Sequence, residues 1–319
     1  MRAFQIPAAG AAPTLTDISV PTPGSKDVRL AIKACGLNFA DLLMVTGTYQ
    51  DTPNAPFTMG LEVAGIVDAV GKDVSGLTPG DRVAVFGGQG GLADFGVFPA
   101  DRIVKIPDEM SFDDAAAFQI AYGTSHLALT HRAHLQKGET LLVLGAAGGV
   151  GLTAVEIGKH LGATVIAVAR GADKLAVAKS AGADHLLDAD TDDLLGALKA
   201  LGGVDVVYDP VGGDAFKAAF RACKPEARIL TIGFASGDVP KVPANHLLVK
   251  NISLLGFYWG GYMAFKPQTL INSLNALMAL YVAGSIKPHI SHRLPLAQAA
   301  EGLDLLRLRK STGKVVITM

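Results

Sequence analysis

Only two cysteines, Cys35 and Cys223, occur in the 319 residues. That is too few for a disulfide framework or a four-cysteine zinc lobe, and a reducing cytoplasm is the expected home. No uninterrupted apolar run reaches the ~18 residues a membrane-spanning helix needs. The opening MRAFQIPAAGAAPTLTD lacks an apolar core behind a basic run, so no export and no membrane partner are expected. Neither charge sign is in excess, with 28 basic against 29 acidic side chains. Such a balance offers no global field for nucleic acid or an anionic membrane surface. Low-complexity linkers and internal repeats are missing as well.

What is present suits a well-buried enzyme: half of the residues are apolar and 18% are charged. The length is about twice that of a common domain, so two domains are expected. Up to about residue 110 the chain is a succession of short apolar runs cut by Gly and Pro: VRLAIKA, GLEVAGIVDAVG, DRVAVFGG and RIVKIPD. That punctuation predicts a β-rich domain, a distorted barrel, with one helix over 38–46 capped by Asn38. From about residue 136 the rhythm becomes strand, helix, strand: TLLVLG, GGVGLTAVEIGKHLG, TVIAVAR, DKLAVAKSAG, HLLD and onward to RILTIGF. Alternation of this length predicts a doubly wound parallel sheet, an α/β fold. SLLGFYW, two helical segments at 268–283 and 296–307 and a last strand KVVITM then break the pattern.

Between the strand TLLVLG and its helix lies GAAGGVG, residues 145–151. A turn this small brings backbone amides of a helix N-terminus up to a pyrophosphate, and a side chain at Gly148 or Gly149 would obstruct it. Ala147, Gly148, Gly149, Val150 and Gly151 are therefore the candidate dinucleotide cradle. An NAD site usually carries a carboxylate at the tip of the second strand. Here Ala169 stands there, followed by Arg170, Gly171 and, one helical turn on, Lys174. Loss of the carboxylate and gain of cations favour a 2′-phosphate, hence NADPH, although Asp173 dilutes the patch.

The motifs CGLNFADLLMVTGTYQ, MGLEVAGIVDAVG, PGDRVAVF, AAGGVG and GKVVI, in this order, resemble the zinc-free quinone oxidoreductase (zeta-crystallin-like) branch of the medium-chain dehydrogenase/reductase superfamily. The resemblance covers nearly the whole chain. It implies a GroES-like β-rich catalytic domain over 1–120, completed by 265–319, and a Rossmann-type dinucleotide-binding domain over 121–264. In zinc alcohol dehydrogenases of this superfamily a cysteine and a histidine hold the metal at the positions of Asn38 and Leu61. An amide oxygen is a poor zinc ligand and leucine is none, so no catalytic metal is expected. Cys35 is read as a small buried residue.

The resemblance further implies catalytic roles for Asn38 and Tyr49. The Asn38 amide would hydrogen-bond a substrate carbonyl or the nicotinamide ribose, and the Tyr49 phenol the substrate or cofactor. Asp41, three residues after Asn38 on the same helix side, would orient it or bond backbone. Carried over in the same way are Thr124 near the nicotinamide or phosphates, and Gly233 and Phe234 at the cofactor edge. The backbone of Phe257, Tyr258 and Trp259 would meet the carboxamide, and Lys314 would be a cation near the pyrophosphate. Close quinone reductases place a Tyr or His after the third strand against the 2′-phosphate, where this chain has Ala189. The SLLGFYW strand implies a homodimer. The implied activity is NADPH-dependent, zinc-independent reduction of a quinone. Reduction of a conjugated C=C bond in an enal, enone or enoyl thioester is the alternative, and a non-enzymatic NADPH-binding or RNA-binding role a third reading.

Overall fold

Alternation decides the first long strand. In Asp27–Leu37 the residues Val28, Leu30, Ile32 and Ala34 turn inward, and from Cys35 to Leu37 every residue is buried. The alternation stops because the end of the strand is covered on both faces. A Cβ on Gly36 would stand 2.1 Å from the carbonyl oxygen of Ala116, in the short helix Phe112–Ala116, so only glycine fits there. The structure, a computed structural model, describes all 319 residues. It divides into two units, Met1–Ile120 with Lys287–Met319, and Ala121–Ile286.

In the first unit a seven-stranded sheet runs in the order Ile290–Pro295, Lys314–Thr318, Asp27–Leu37, Glu62–Val70, Arg82–Phe86 and Ile103–Lys105, with Phe95–Pro99 also paired to Asp27–Leu37. Register shifts between Arg29 and Leu30 and between Ile32 and Ala34 mark bulges that bend the central pair. A three-stranded sheet of Thr14–Asp17, Arg2–Ile6 and Phe57–Thr58 completes the unit. The core gathers Leu30, Ile32, Met59, Leu61, Val63, Val83, Val85 and Ile317.

In the second unit six parallel strands stand in the order His185–Asp188, Thr164–Ala169, Thr140–Leu144, Val204–Asp209, Cys223–Thr231 and Ser253–Gly256. This is the doubly wound order, third-second-first-fourth-fifth-sixth, which reverses direction at the first strand. The near-continuous apolar strands are buried throughout, as a sheet covered on both faces requires. Ser253–Gly256 lies at the edge of the sheet, and the strand ends before Phe257 rather than running through Trp259.

The return to the first unit begins at Lys287, not at 265. The helix Pro267–Val282 buries Leu270, Leu274 and Leu277, and its Ser273 Oγ lies 2.8 Å from His126 Nδ1. An amphipathic stripe shows that a helix has a buried face but not which core receives it. No helix is long and apolar enough to cross a membrane.

Candidate active site

At the end of strand Asp27–Leu37 the chain turns extended at Asn38 (φ −132°, ψ 158°) and enters the helix Phe39–Val45. Asp41 Oδ2 accepts the Asn38 backbone N–H at 2.8 Å, tying the helix start to its own first turn. The Asn38 side chain does something else. Its amide nitrogen donates to Gly36 O at 3.1 Å and to Glu62 Oε1 at 3.0 Å, while its Oδ1 accepts from Lys314 Nζ at 2.7 Å. Lys314 Nζ also meets Glu62 Oε1 at 2.6 Å, in an ion pair with side chains 5% and 0% exposed. Glu62 Oε2 accepts the Ile120 N–H at 2.9 Å. A flipped carboxamide would face N–H to ammonium and oxygen to carboxylate, so the neighbours fix its orientation.

Two expectations change here. Both amide hydrogens of Asn38 are taken, so this side chain has none left to donate to a substrate carbonyl; what remains outward is acceptor capacity on Oδ1. Lys314, expected near a pyrophosphate, is buried in the strand Lys314–Thr318 with its ammonium committed to Glu62 and Asn38. Glu62 was missed by sequence reasoning. The signal was there: a carboxylate inside the apolar run GLEVAGIV needs a buried partner.

Asp41 is completely buried. Burial raises its carboxyl to about 7, against the Asn38 N–H and the Lys314 charge, which pull it down, and with Glu62, which pushes it further up. Burial, then the charges of Asp41 and Glu62, hold the Cys35 thiol well above its usual range, which fits a small buried residue rather than a nucleophile. Tyr49 is half-buried in the turn after the helix. Its ring packs on the apolar core and its carbonyl accepts the Thr52 N–H and hydroxyl at 3.1 and 2.7 Å.

The second unit holds the glycine loop. Gly145 has φ +61°, Gly148 N–H donates to Gly145 O at 2.9 Å, and the helix Gly149–His160 follows with Gly148 as its N-cap. Gly151 and Gly148 are glycine for different reasons. A Cβ on Gly151 would lie 2.2 Å from Gly145 O, so the turn itself forbids it. A Cβ on Gly148 would meet only Gly145 O, at 3.4 Å. The bare, exposed backbone at Gly148 therefore leaves open the space over a helix N-terminus, where first-turn amides lack carbonyl partners, and this fits a pyrophosphate. Ala147 is buried behind the turn and Val150 half-buried in the first helical turn.

At the strand tip Ala169 is buried, Gly171 takes φ +80°, and Lys174 is half-buried in the helix Ala172–Ser180. Arg170 Nε donates to Asp190 Oδ1 at 2.9 Å in a largely exposed pair. The Asp188 carboxylate accepts the N–H groups of Gly171 (3.2 Å) and Asp190 (3.0 Å). These two carboxylates were not weighed from sequence, though they flank Ala189 in HLLDADTDD.

Thr124 is buried in the helix Gln119–Leu127. Gly233 donates its N–H to Asp209 O at 3.3 Å, and Phe234 is partly exposed in the loop beyond the fifth strand. Phe257 and Trp259 are buried and Tyr258 is partly exposed. A Cβ on Gly123 would come within 2.6 Å of the Trp259 indole, so that ring lies against the backbone of the helix carrying Thr124. No group of three or more His, Cys, Asp or Glu side chains is arranged to hold a metal ion.

Two family models match the chain, alcohol dehydrogenase GroES-like domain over residues 24–108 and zinc-binding dehydrogenase over 149–276. Quinone oxidoreductase-like protein 2 homolog of Nematostella vectensis is 41% identical over 300 residues, 92% of this chain and 82% of that protein. The human synaptic vesicle membrane protein VAT-1 homolog is 34% identical over 315 residues, 93% of this chain and 80% of its own. The quinone oxidoreductase of Thermus thermophilus, solved also in complex with NADPH, superposes with a TM-score of 0.89 at 30% identity over 100% of both chains. With the glycine loop opening a doubly wound sheet, the chain belongs to the medium-chain dehydrogenase/reductase superfamily, among its quinone oxidoreductase-like members.

Proposed function

We propose that the protein is a zinc-independent, NADPH-dependent quinone oxidoreductase. The observation that carries this reading is the open backbone at Gly148 over the helix N-terminus, followed at the second strand tip by Ala169, Arg170 and Lys174 in place of a carboxylate. The amides of Gly149, Val150 and Gly151 hold the pyrophosphate, with Ala147 and Gly148 shaping the turn. Arg170 and Lys174, with Gly171 shaping the turn between them, receive the 2′-phosphate. An exposed ion pair is worth only ~0–1 kcal/mol, so Arg170 changes partner from Asp190 at little cost. Thr124, Gly233, Phe234 and the backbone of Phe257, Tyr258 and Trp259 bound the rest of the nucleotide.

NADPH, when bound, supplies the hydride. The protein supplies hydrogen bonds and orientation. Asn38 Oδ1 accepts from a hydroxyl such as that of a ribose, Lys314 and Glu62 hold it in place, and Asp41 holds the backbone it stands on. The Tyr49 phenol donates to the acceptor oxygen that gains charge. One neutral donor suits a quinone better than an aldehyde, since the quinone gains aromaticity on reduction and needs less electrophilic help. We further propose a cytoplasmic homodimer formed through the edge strand Ser253–Gly256.

The test is oxidation of NADPH, then NADH, with an ortho-quinone, a para-quinone, an enal and an enoyl thioester. Fast turnover on quinones with NADPH preferred is expected. Turnover confined to the enal or thioester would move the function to reduction of a conjugated C=C bond, and equal rates with NADH would remove the role of Arg170 and Lys174.

A further inference from the structure

Behind the glycine loop, wholly within the second unit, three hydroxyls meet in the core. Ser125 (helix Gln119–Leu127) and Tyr208 (strand Val204–Asp209) are fully buried, and Thr153 (helix Gly149–His160) nearly so. Ser125 Oγ lies 2.8 Å from Thr153 Oγ1, 3.0 Å from Tyr208 Oη and 2.9 Å from Val150 O. Thr153 Oγ1 reaches Ala121 O at 3.0 Å, Val150 O at 3.1 Å and Gly149 O at 3.4 Å.

The protons of this cluster run one way. Burial keeps the Tyr208 phenol protonated, raising it far above its usual range, and Ser125 Oγ is its hydrogen-bond partner, so Tyr208 donates to Ser125. Ser125 lies 2.8 Å from Thr153, so one of these two hydroxyls donates to the other, and that second hydroxyl passes its own proton to a backbone carbonyl, with Val150 O within reach of both. Of the carbonyls in reach, Ala121 O lies outside the glycine-loop helix, but the other two belong to its first turn. Gly149 C=O shares a rigid peptide plane with Val150 N–H, and Val150 C=O shares one with Gly151 N–H. A hydroxyl that fixes the oxygen of such a plane fixes the amide on its other edge. Those are first-turn amides, the ones without carbonyl partners of their own. Three buried hydroxyls are also an expensive way to fill a core that phenyl, methyl and isopropyl groups would fill without polar atoms to satisfy.

We propose that Tyr208, Ser125 and Thr153 are positioning residues that clamp the first turn of the helix Gly149–His160, above all the Val150–Gly151 peptide plane, and so hold its amides aimed at the dinucleotide pyrophosphate. The inference rests on reading the glycine loop as the cofactor cradle. It assigns the affinity for NADPH in part to side chains that do not touch it.

The experiment measures the NADPH dissociation constant by fluorescence titration without acceptor, the melting temperature, and the amide order parameters of residues 149–151 by NMR relaxation in the free protein. One hydrogen bond is worth ~1 kcal/mol, or about fivefold in binding. Ser125→Ala, which removes the hub, is expected to weaken NADPH about tenfold, Thr153→Val about fivefold and Tyr208→Phe about threefold. Order parameters at 149–151 should fall in the same sequence, and Thr153→Ser, which restores the hydroxyl, should bind like the parent. Variants that melt earlier but bind NADPH like the parent would make the cluster a structural filler and overturn the inference. Absence of NADPH binding by the parent would instead sink the cofactor reading. The order parameters still decide the clamp in that case, since unchanged values in Ser125→Ala and Tyr208→Phe would refute it.

Discussion

The corner around Asn38 and the turn around Gly148 are both places where a strand ends and a helix begins, yet they treat their polar groups in opposite ways. At the corner nearly every polar group is matched inside the protein: Asn38 has both amide hydrogens and its oxygen engaged, and Lys314 and Glu62 close on each other away from water. At the turn the first helical amides are left without carbonyl partners and a glycine keeps the space above them clear. Polar groups already matched internally orient, and polar groups left unmatched bind. The contrast assigns the corner to geometry and the turn to affinity.

The largest effect expected is on the corner. Lys314→Met leaves a fully buried Glu62 carboxylate without its cation, and breaking a buried pair in this way costs about 3–5 kcal/mol. Urea unfolding should show that loss, and Lys314→Met combined with Glu62→Gln should regain a large part of it. If the double variant is no more stable than the single, Lys314 contributes something other than charge compensation, and the corner is not the closed system described.

Asp41 gives the next test, through pH. Its folded carboxyl stands at about 7 against 3.8 for the unfolded chain, so between those values the folded state binds the extra proton. Its burial is therefore harmless below about pH 4, and stability is lost progressively as pH rises toward 7, by at most ~4 kcal/mol. Asp41→Asn keeps an oxygen for the Asn38 N–H but cannot ionise. The stability difference between parent and variant should shift in favour of the variant as pH rises from about 4 to 7. A flat difference over that range would mean that Asp41 is charged throughout and that the corner is wetter than its burial indicates.

The glycines of the turn separate fold from binding. Gly151→Ala must push a Cβ into the Gly145 carbonyl oxygen at 2.2 Å, which calls for a backbone shift costing ~1–3 kcal/mol. Gly148→Ala meets the same oxygen at 3.4 Å and should leave the melting temperature nearly unchanged while weakening NADPH about tenfold or more. Equal binding by Gly148→Ala and the parent would remove the cradle from this turn.

Much of this architecture is readable in the sequence because it rests on local periodicity. The parallel sheet, the turn at 145–151 and the helix start at Asn38 each declare themselves within a few residues. What escaped was set by distant partners. Glu62 and Lys314 lie 252 positions apart, and nothing near either one tells that they form a pair. Reading Lys314 as a cation near the pyrophosphate followed from the resemblance, whereas its strand carries it inward. The helix Pro267–Val282 likewise shows its apolar stripe, but its assignment to the second unit depends on contacts such as Ser273 with His126. The hydroxyls of Ser125, Thr153 and Tyr208 sit in segments that read as ordinary core.

The smallest effect expected lies at the strand tip, and it tests whether the turn side of the contrast extends to the 2′-phosphate. Arg170 is held by Asp190 in an exposed pair, and Asp188 fixes the backbone between them, so the site carries both a cation for a phosphate and an anion that competes for it. If Arg170 exchanges Asp190 for phosphate, Asp190→Asn should tighten NADPH a few-fold and leave NADH unchanged, and Arg170→Ala should weaken NADPH by a similar factor. Both differences should shrink as salt rises, because exposed charges are screened. A change in NADH affinity as large as that in NADPH would show that Asp190 shapes the strand tip rather than competing for its cation, and selectivity would then rest on Lys174.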